Sequence, residues 1–211
     1  MSRKVNLEEK DLKAGLLASV LIAVLAYPTL NNISFINQYG ALIVVGASFA
    51  LGFLALRALI LMKILSRWWV MFWQLGKFAL TGALNTFLDF AILNLLITLT
   101  GITEGLWASV FKTLAFGVAV INSYFWNKYW TFEATESRKR SEFVEFILVS
   151  VLSLGVNVGT FSLVNALSPT GGLNPTTWAN VSALAATAIA WIFNFLGYKF
   201  LVFRKKEEAT S

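Results

Sequence analysis

Two ionisable residues stand inside long apolar runs, where a charge is costly if the runs cross a membrane. Asp89 comes 11 residues after Phe78, and Lys112 comes five residues after Trp107 in the next run. A charge at the bilayer centre costs at least about 2.5–3.5 kcal/mol on insertion scales, so such residues are functional candidates. In adjacent antiparallel helices the two would lie at similar depths. We predict that they pair and line a polar path. The alternatives are a purely structural ion pair, or a Lys112 side chain that snorkels outward.

Four asparagines are the other polar residues at depth in these runs. Amides hydrogen-bond hydroxyl-rich ligands, but they also bridge transmembrane helices, for about 0.6–2 kcal/mol each. Singly, each is best explained as a helix bridge. Together with Asp89 they would form a hydrophilic groove in an otherwise apolar bundle. These residues are Asn85, Asn122, Asn157 and Asn194.

The composition excludes several kinds of chemistry. The 211-residue chain is 57% hydrophobic and 13% charged, with neither Cys nor His. Soluble domains are usually about 25% charged. Thiol catalysis, His-based acid–base catalysis and the usual zinc sites are therefore ruled out. We also find no nucleophile–base pair and no glycine-rich phosphate loop, and expect neither enzymatic activity nor a cofactor or metal.

Apolar runs of roughly 20 residues, each long enough to cross a bilayer core of about 30 Å, predict an all-α membrane protein. We expect about six transmembrane helices, of which the first is the weakest because its apolar stretch is short. The predicted spans are 14–30, 40–62, 78–99, 107–126, 146–167 and 178–203.

The distribution of Lys and Arg predicts the orientation. The loops 31–39, 100–106 and 168–177 contain no Lys or Arg, whereas the opposite ends of the spans carry clusters of them. Cytoplasmic loops carry such an excess, so both termini are expected in the cytoplasm and the protein in the cell (plasma or inner) membrane. Because the charges flank apolar spans, the net charge of +6 indicates contact with membrane lipids rather than with nucleic acid.

The segment 64–77 is rich in tryptophan and follows a basic cluster. Trp68, Trp69 and Trp73 lie near Arg67, which is typical of a helix at the membrane interface. We predict such an amphipathic helix, with a simple extension of the second span as the alternative. The polar residues 133–144 are expected to form the main cytoplasmic loop.

The second half of the chain contains an internal repeat. WASVFKTLAFGVAVINSYFWNKYWTF (107–132) aligns without a gap to WANVSALAATAIAWIFNFLGYKFLVF (178–203), and KFALTGALNTFLDF (77–90) resembles EFILVSVLSLGVNV (145–158). Two spans return the chain to its starting side, so the units are expected to be parallel. Binding sites in such proteins often lie at the interface of the repeats.

The same residues resemble the GtrA-like family. The most specific feature is the ending NKYWTF at 127–132, preceded by the small-residue-rich FALTGALNTFLDF. The resemblance implies a four-helix bundle over 78–203, built from repeats 78–132 and 146–203. It leaves a two-helix hairpin within 1–63, the interfacial helix at 64–77 and a tail at 204–211 outside that bundle.

Resemblance to this family implies work on a polyprenyl-phosphate-linked monosaccharide. The implied activity moves this lipid from the cytoplasmic to the outer leaflet, for modification of an envelope glycan. Cations at the cytoplasmic helix ends would then bind the lipid phosphate as point charges, although positive-inside topology also explains them. The candidates are Lys77, Lys128 and Lys199 for phosphate, and Trp126, Tyr129 and Trp130 for stacking on the sugar.

An anchoring role is the main alternative. A related four-span domain anchors some polyprenyl-phosphate sugar synthases, so the chain could instead recruit a glycosyltransferase. A transporter of small cations or drugs is a third alternative. Small-residue stripes on the last two spans are compatible with self-association as well as with packing within the bundle.

Overall fold

The computed structural model describes residues 9–31, 36, 38–102, 105–134, 139–167 and 175–204. Six α-helices account for most of them, and the all-α architecture predicted from the sequence is confirmed. They are α1 (Glu9–Asn31), α2 (Ala41–Leu65), α3 (Met71–Thr100), α4 (Gly105–Trp126), α5 (Lys139–Asn165) and α6 (Pro175–Gly197). Short π-helical segments, π1 (Asn127–Thr131) and π2 (Tyr198–Val202), follow α4 and α6 without a break.

Four of these helices are long and apolar enough to cross a membrane within the described part of the chain. They are α1, α2, α3 and the portion Ser141–Val164 of α5. The chain is therefore a multi-pass membrane protein. The spanning role of α4 and α6, and hence the six-span topology, stays a prediction.

The chain divides into two compact units, Met1–Glu133 and Ala134–Ser211. In the first unit α1 packs on α2 and α3, while α3 also packs on α4 and π1. In the second unit α5 packs on α6 and π2. Small residues allow close packing of α1 against α2, and the core of the first unit then fills with large side chains. That core consists of Ala18, Ile22, Leu59, Trp73, Leu80, Leu84 and Trp130.

The segment predicted as an interfacial helix, 64–77, has a different structure. Helix α2 continues to Leu65, the chain turns at 66–70, and the remainder forms the first turns of α3. The reason is burial: Trp73 and Lys77 lie on the stripe of α3 that faces the core, so this stretch packs inside the unit. Trp68 and Trp69 in the turn are exposed, as expected of indoles at an interface.

Gly52 lies at a close approach of α1 and α2, which leads to a stability prediction. A Cβ atom there would lie 2.5 Å from the Ser19 carbonyl oxygen and 2.8 Å from the Ala23 Cβ. Gly52→Val should force the helices apart and destabilise the protein by about 1–3 kcal/mol. Gly46→Val on the same helix is the control, because a Cβ there has nothing within 4 Å. Thermal unfolding in detergent measures both, and equal melting temperatures would contradict this packing.

The local structures of the two predicted repeats agree closely. The ungapped alignment places Asn127 on Tyr198, and these residues begin π1 and π2 respectively. Each π segment closes in the same way, with Phe132 N–H donating to the Asn127 carbonyl at 2.9 Å and Phe203 N–H to the Tyr198 carbonyl at 2.7 Å.

A phenylalanine pair then joins the two helices of each repeat. The rings of Phe78 and Phe132 are 6.4 Å apart, and those of Phe146 and Phe203 are 6.2 Å apart. In each repeat, the end of the second helix therefore packs against the start of the first helix. The sequence similarity reflects this shared packing.

Candidate functional site

A line of polar residues runs along one face of α3. Lys77, Thr81, Asn85 and Asp89 follow one another at intervals of four residues, so they lie on neighbouring turns of one face. We name this set the polar seam. At about 1.5 Å per residue it covers roughly 18 Å of the helix. Lys77 and Thr81 are buried, whereas Asn85 and Asp89 are partly exposed.

The polar seam contacts α4 and π1 through side-chain hydrogen bonds. Thr81 Oγ1 lies 3.4 Å from Thr131 Oγ1, and the Asn122 amide donates to Asn85 Oδ1 at 2.7 Å. The Nδ2 atom of Asn85 is buried and has no acceptor among the described residues. The seam therefore joins α3 to α4 and π1, and it contains a buried amide donor without an acceptor among the described residues.

Asp89 is the last residue of the polar seam, one turn of α3 beyond Asn85. Its predicted partner, Lys112, belongs to α4, but the Lys112 side chain lies outside the described residues. The Asp89–Lys112 pair therefore stays a prediction. Such a pair requires α3 and α4 to be neighbours, and these two helices do pack on each other.

The other two predicted asparagines lie in the second unit. Asn157, on α5, is partly exposed, and Asn194, on α6, has a buried Oδ1 atom without a donor among the described residues. Of the four asparagines, the structure joins Asn85 to Asn122 directly. A single groove shared by all of them stays a prediction.

Lys77 begins the polar seam inside a buried ion cluster. Its Nζ atom lies 2.6 Å from Asp11 Oδ1 and 2.9 Å from Glu133 Oε1, and donates to the Trp130 carbonyl at 3.2 Å. The Trp73 ring centroid is 5.2 Å from the same atom. Glu133 has φ of +53°, a left-handed conformation that is uncommon for a residue with a side chain. This conformation follows directly after π1, at the point where the Glu133 carboxylate meets Lys77.

The phosphate-binding role predicted for Lys77 is not supported by this geometry. The residue is 1% exposed and its ammonium group already contacts two carboxylates. Sequence reasoning missed both Asp11 and Glu133. Thr81 was missed too, although its spacing of four residues from Lys77 and Asn85 is a signal that could have revealed it.

Lys128 and Lys199 occupy equivalent positions in the two π segments. Lys128 is buried, donates to the Tyr124 hydroxyl at 3.2 Å, and lies over the rings of Tyr124 and Tyr129 at 5.5 and 5.8 Å. Lys199 is partly exposed and lies over the rings of Phe195 and Phe200 at 5.6 and 5.5 Å. Each lysine thus lies over an aromatic pair, and a phosphate-binding role stays a prediction for both.

A cavity of about 330 Å³ lies between α1 and the end of α4. It brings together all three aromatic residues predicted to stack on a sugar. Phe125 stacks on Tyr129 at 6.1 Å, and Trp126 meets Trp130 edge-on at 5.4 Å. The lining residues are Lys10, Ala14, Phe125, Trp126, Tyr129 and Trp130. Sequence reasoning missed Lys10, which α1 brings to this site.

Comparison with known proteins identifies the family of this chain. The model of the family described as GtrA/DPMS, transmembrane domain, matches residues 77–203. The chain belongs to this GtrA/DPMS family. A protein of Bacillus subtilis (strain 168), described as the uncharacterized membrane protein YngA, is 30% identical over 129 residues. The match covers 61% of this chain and 78% of that relative. No solved structure matches the chain significantly.

The GtrA/DPMS match separates the site into two parts. The polar seam and the four aromatic residues of the cavity lie within the matched segment. Lys10 and Asp11 lie outside it, on α1. The first helix therefore adds one charged residue to the cavity and another to the buried ion cluster of a GtrA/DPMS domain.

Proposed function

We propose that the protein moves a polyprenyl-phosphate-linked monosaccharide from the cytoplasmic to the outer leaflet of the cell membrane. The polar seam is the observation that carries this proposal. Buried or half-buried polar residues within transmembrane helices are expensive and mark substrate pathways by default. A domain that only anchors another protein has no need of a polar line spaced regularly along α3.

The seam suits the head of a lipid-linked sugar. Its hydroxyl and amide groups bond to polar residues of π1 and α4 when these elements contact α3, as in the pairs Thr81–Thr131 and Asn85–Asn122. A sugar that enters between the helices exchanges these hydrogen bonds for bonds to its own hydroxyls, while the apolar tail remains in the lipid. Movement then follows the concentration gradient, which consumption of the sugar at the outer surface maintains.

The orientation belongs to the same proposal. The Lys- and Arg-rich ends of the spans lie in the cytoplasm, and with them both termini. The buried ion cluster around Lys77 then marks the cytoplasmic end of the polar seam, and Asp89 lies deeper in the membrane. The sugar lipid is the ligand, and membrane lipids surround the helices.

Transport in liposomes tests the proposal. Purified protein is reconstituted with a polyprenyl-phosphate hexose, and the fraction of sugar oxidised by membrane-impermeant periodate is followed with time. We expect oxidation to extend beyond the outer-leaflet fraction that protein-free liposomes show. Folded protein that moves none of several sugars faster than protein-free liposomes would contradict the proposal and favour the glycosyltransferase-anchoring role.

The pair Asn85–Asn122 provides a sharper prediction in the same assay. Asn85→Ala removes both the acceptor of the Asn122 amide and the buried Nδ2 donor, so transport should slow by about three- to tenfold. Asn94→Ala is the matched control, because the Asn94 amide donates to the Phe90 carbonyl of its own helix, outside the polar seam. Equal rates for the two variants would show that the pair only bridges the helices.

A further inference from the structure

One aromatic residue that lines the cavity carries a buried hydrogen-bond donor without an acceptor among the described residues. Trp130 is 5% exposed, lines the cavity, and its indole Nε1 has no hydrogen-bond partner among the described residues. Buried polar groups in native proteins are nearly always hydrogen-bonded, and exceptions need an explanation. A ligand oxygen that reached this N–H group from the cavity would satisfy it.

The surroundings of the cavity are cationic as well as aromatic. Lys10 lines it directly, with a side chain that is 54% exposed and lies 3.7 Å from Glu133 Oε2. Such a long, solvent-exposed ion pair is weak, so a stronger anion can replace it. Behind the lining, Lys128 lies over the Tyr129 ring, whereas Lys77, which lies over the Trp130 ring, is paired with Asp11 and Glu133. The three lysines Lys10, Lys77 and Lys128 face two carboxylates, Asp11 and Glu133, so one positive charge is left in excess to complement an anionic ligand.

We propose that this cavity binds the sugar-phosphate head of the lipid before translocation, with α1 as an essential wall. This inference rests on the proposed function and identifies where its substrate first binds. Lys10 contacts the phosphate, the Trp130 indole N–H donates to a phosphate or sugar oxygen, and Trp126 and Tyr129 pack against the sugar ring. The tail leaves toward the lipid along the exposed rings of Phe125 and Tyr129.

The cavity differs from a general lipid-contact surface. An acyl chain needs neither an indole donor nor an ammonium group, and an ordinary anionic phospholipid needs no wall of stacked rings. The combination of donor, cation and aromatic surface fits a phosphate that carries a sugar. Lys10 and Ala14 come from outside the family segment, so the site depends on the N-terminal hairpin of this chain.

Binding of a short-chain substrate tests the inference with the full chain in detergent. Farnesyl-phosphate glucose is titrated by calorimetry into wild-type protein and into the variants Lys10→Gln and Trp130→Phe. Each variant should weaken binding roughly tenfold, because each removes a bond to a charged or strongly polar oxygen. Lys10→Gln changes a half-exposed side chain, so it keeps the test valid if Trp130→Phe disturbs the core.

Two matched controls complete the design. Lys13→Gln changes another lysine of α1, which pairs with Glu9 at 2.6 Å and does not line the cavity, and Trp68→Phe changes an exposed tryptophan. Both should bind as the wild type does. Unchanged affinity in Lys10→Gln, or equal losses in the controls, would overturn the assignment. The preference for a sugar lipid would be overturned if phosphatidylglycerol bound the protein as tightly as farnesyl-phosphate glucose does.

Failure of this inference can be told apart from failure of the proposed function. If wild-type protein transports the lipid while both cavity variants bind it normally, the binding site lies elsewhere and translocation stands. If the variants lose binding but wild-type protein moves no lipid across liposomes, the cavity assignment stands and translocation is overturned.

Discussion

Replacing Lys77 with methionine is expected to destabilise the protein by about 3–5 kcal/mol, the usual cost of breaking a buried ion pair by removing one partner. Methionine fills a similar volume but leaves Asp11 and Glu133 facing one another without the ammonium group that lies 2.6 and 2.9 Å from them. Asp11 is buried almost completely, so water cannot replace the lost partner. Unfolding by SDS in mixed micelles measures the loss.

A double variant isolates the ion cluster from other effects of the substitution. Asp11→Asn in the Lys77→Met background removes one of the two stranded charges, so part of the lost stability should return. Lys13→Met is the control: its lysine is exposed, and its replacement should change stability by no more than about 0.5 kcal/mol. If Lys77→Met were no more destabilising than Lys13→Met, the cluster would contribute nothing to the fold.

The second large effect is expected at Asp89. Asp89→Asn keeps the shape of the side chain but removes the charge, and should slow sugar-lipid movement about tenfold or more, equivalent to ~1.4 kcal/mol of barrier. The charged carboxylate accepts hydrogen bonds from sugar hydroxyls more strongly than an amide oxygen does. The liposome assay with impermeant periodate measures the rate.

The exposed face of the same helix provides the control for Asp89. Thr86 donates to the Gly82 carbonyl of its own helix and is exposed, so Thr86→Val should transport at the wild-type rate. If Asp89 pairs with Lys112, the effects of Asp89→Asn and Lys112→Ala should also be non-additive. If the Asp89→Asn variant moved the sugar lipid at the wild-type rate, the proposed translocation would stand and the Asp89 charge would have only a structural role.

Secondary structure and the repeat could be predicted because both are local properties of the chain. Apolar runs bounded by polar residues indicated six helices, and the described part of the chain contains six, because a helix satisfies its own backbone groups within one segment. The alignment of 107–132 with 178–203 also anticipated that both repeats end alike. Its consequence, a π segment beginning at Asn127 and again at Tyr198, became visible only in the backbone.

The segment 64–77 shows where local patterns fail. Its tryptophans indicate an interface, and Trp68 and Trp69 are indeed exposed, but Trp73 and Lys77 are buried in the first turns of α3. Hydropathy does not reveal which face of a helix meets another helix. That depends on the position of α1, whose Asp11 neutralises Lys77 and so allows it to be buried.

By itself, the sequence determined that this protein is helical, crosses a membrane and carries polar residues within its apolar segments. Tertiary structure decided which of those residues meet. Asp11, Lys77 and Glu133 are far apart along the chain, as are Lys10 and Trp130. Helix periodicity constrains neighbours within about four residues, whereas the ion cluster and the cavity arise from contacts between helices. Only the packing of α1 against the end of α4 could reveal a site shared by the N-terminal hairpin and the family domain.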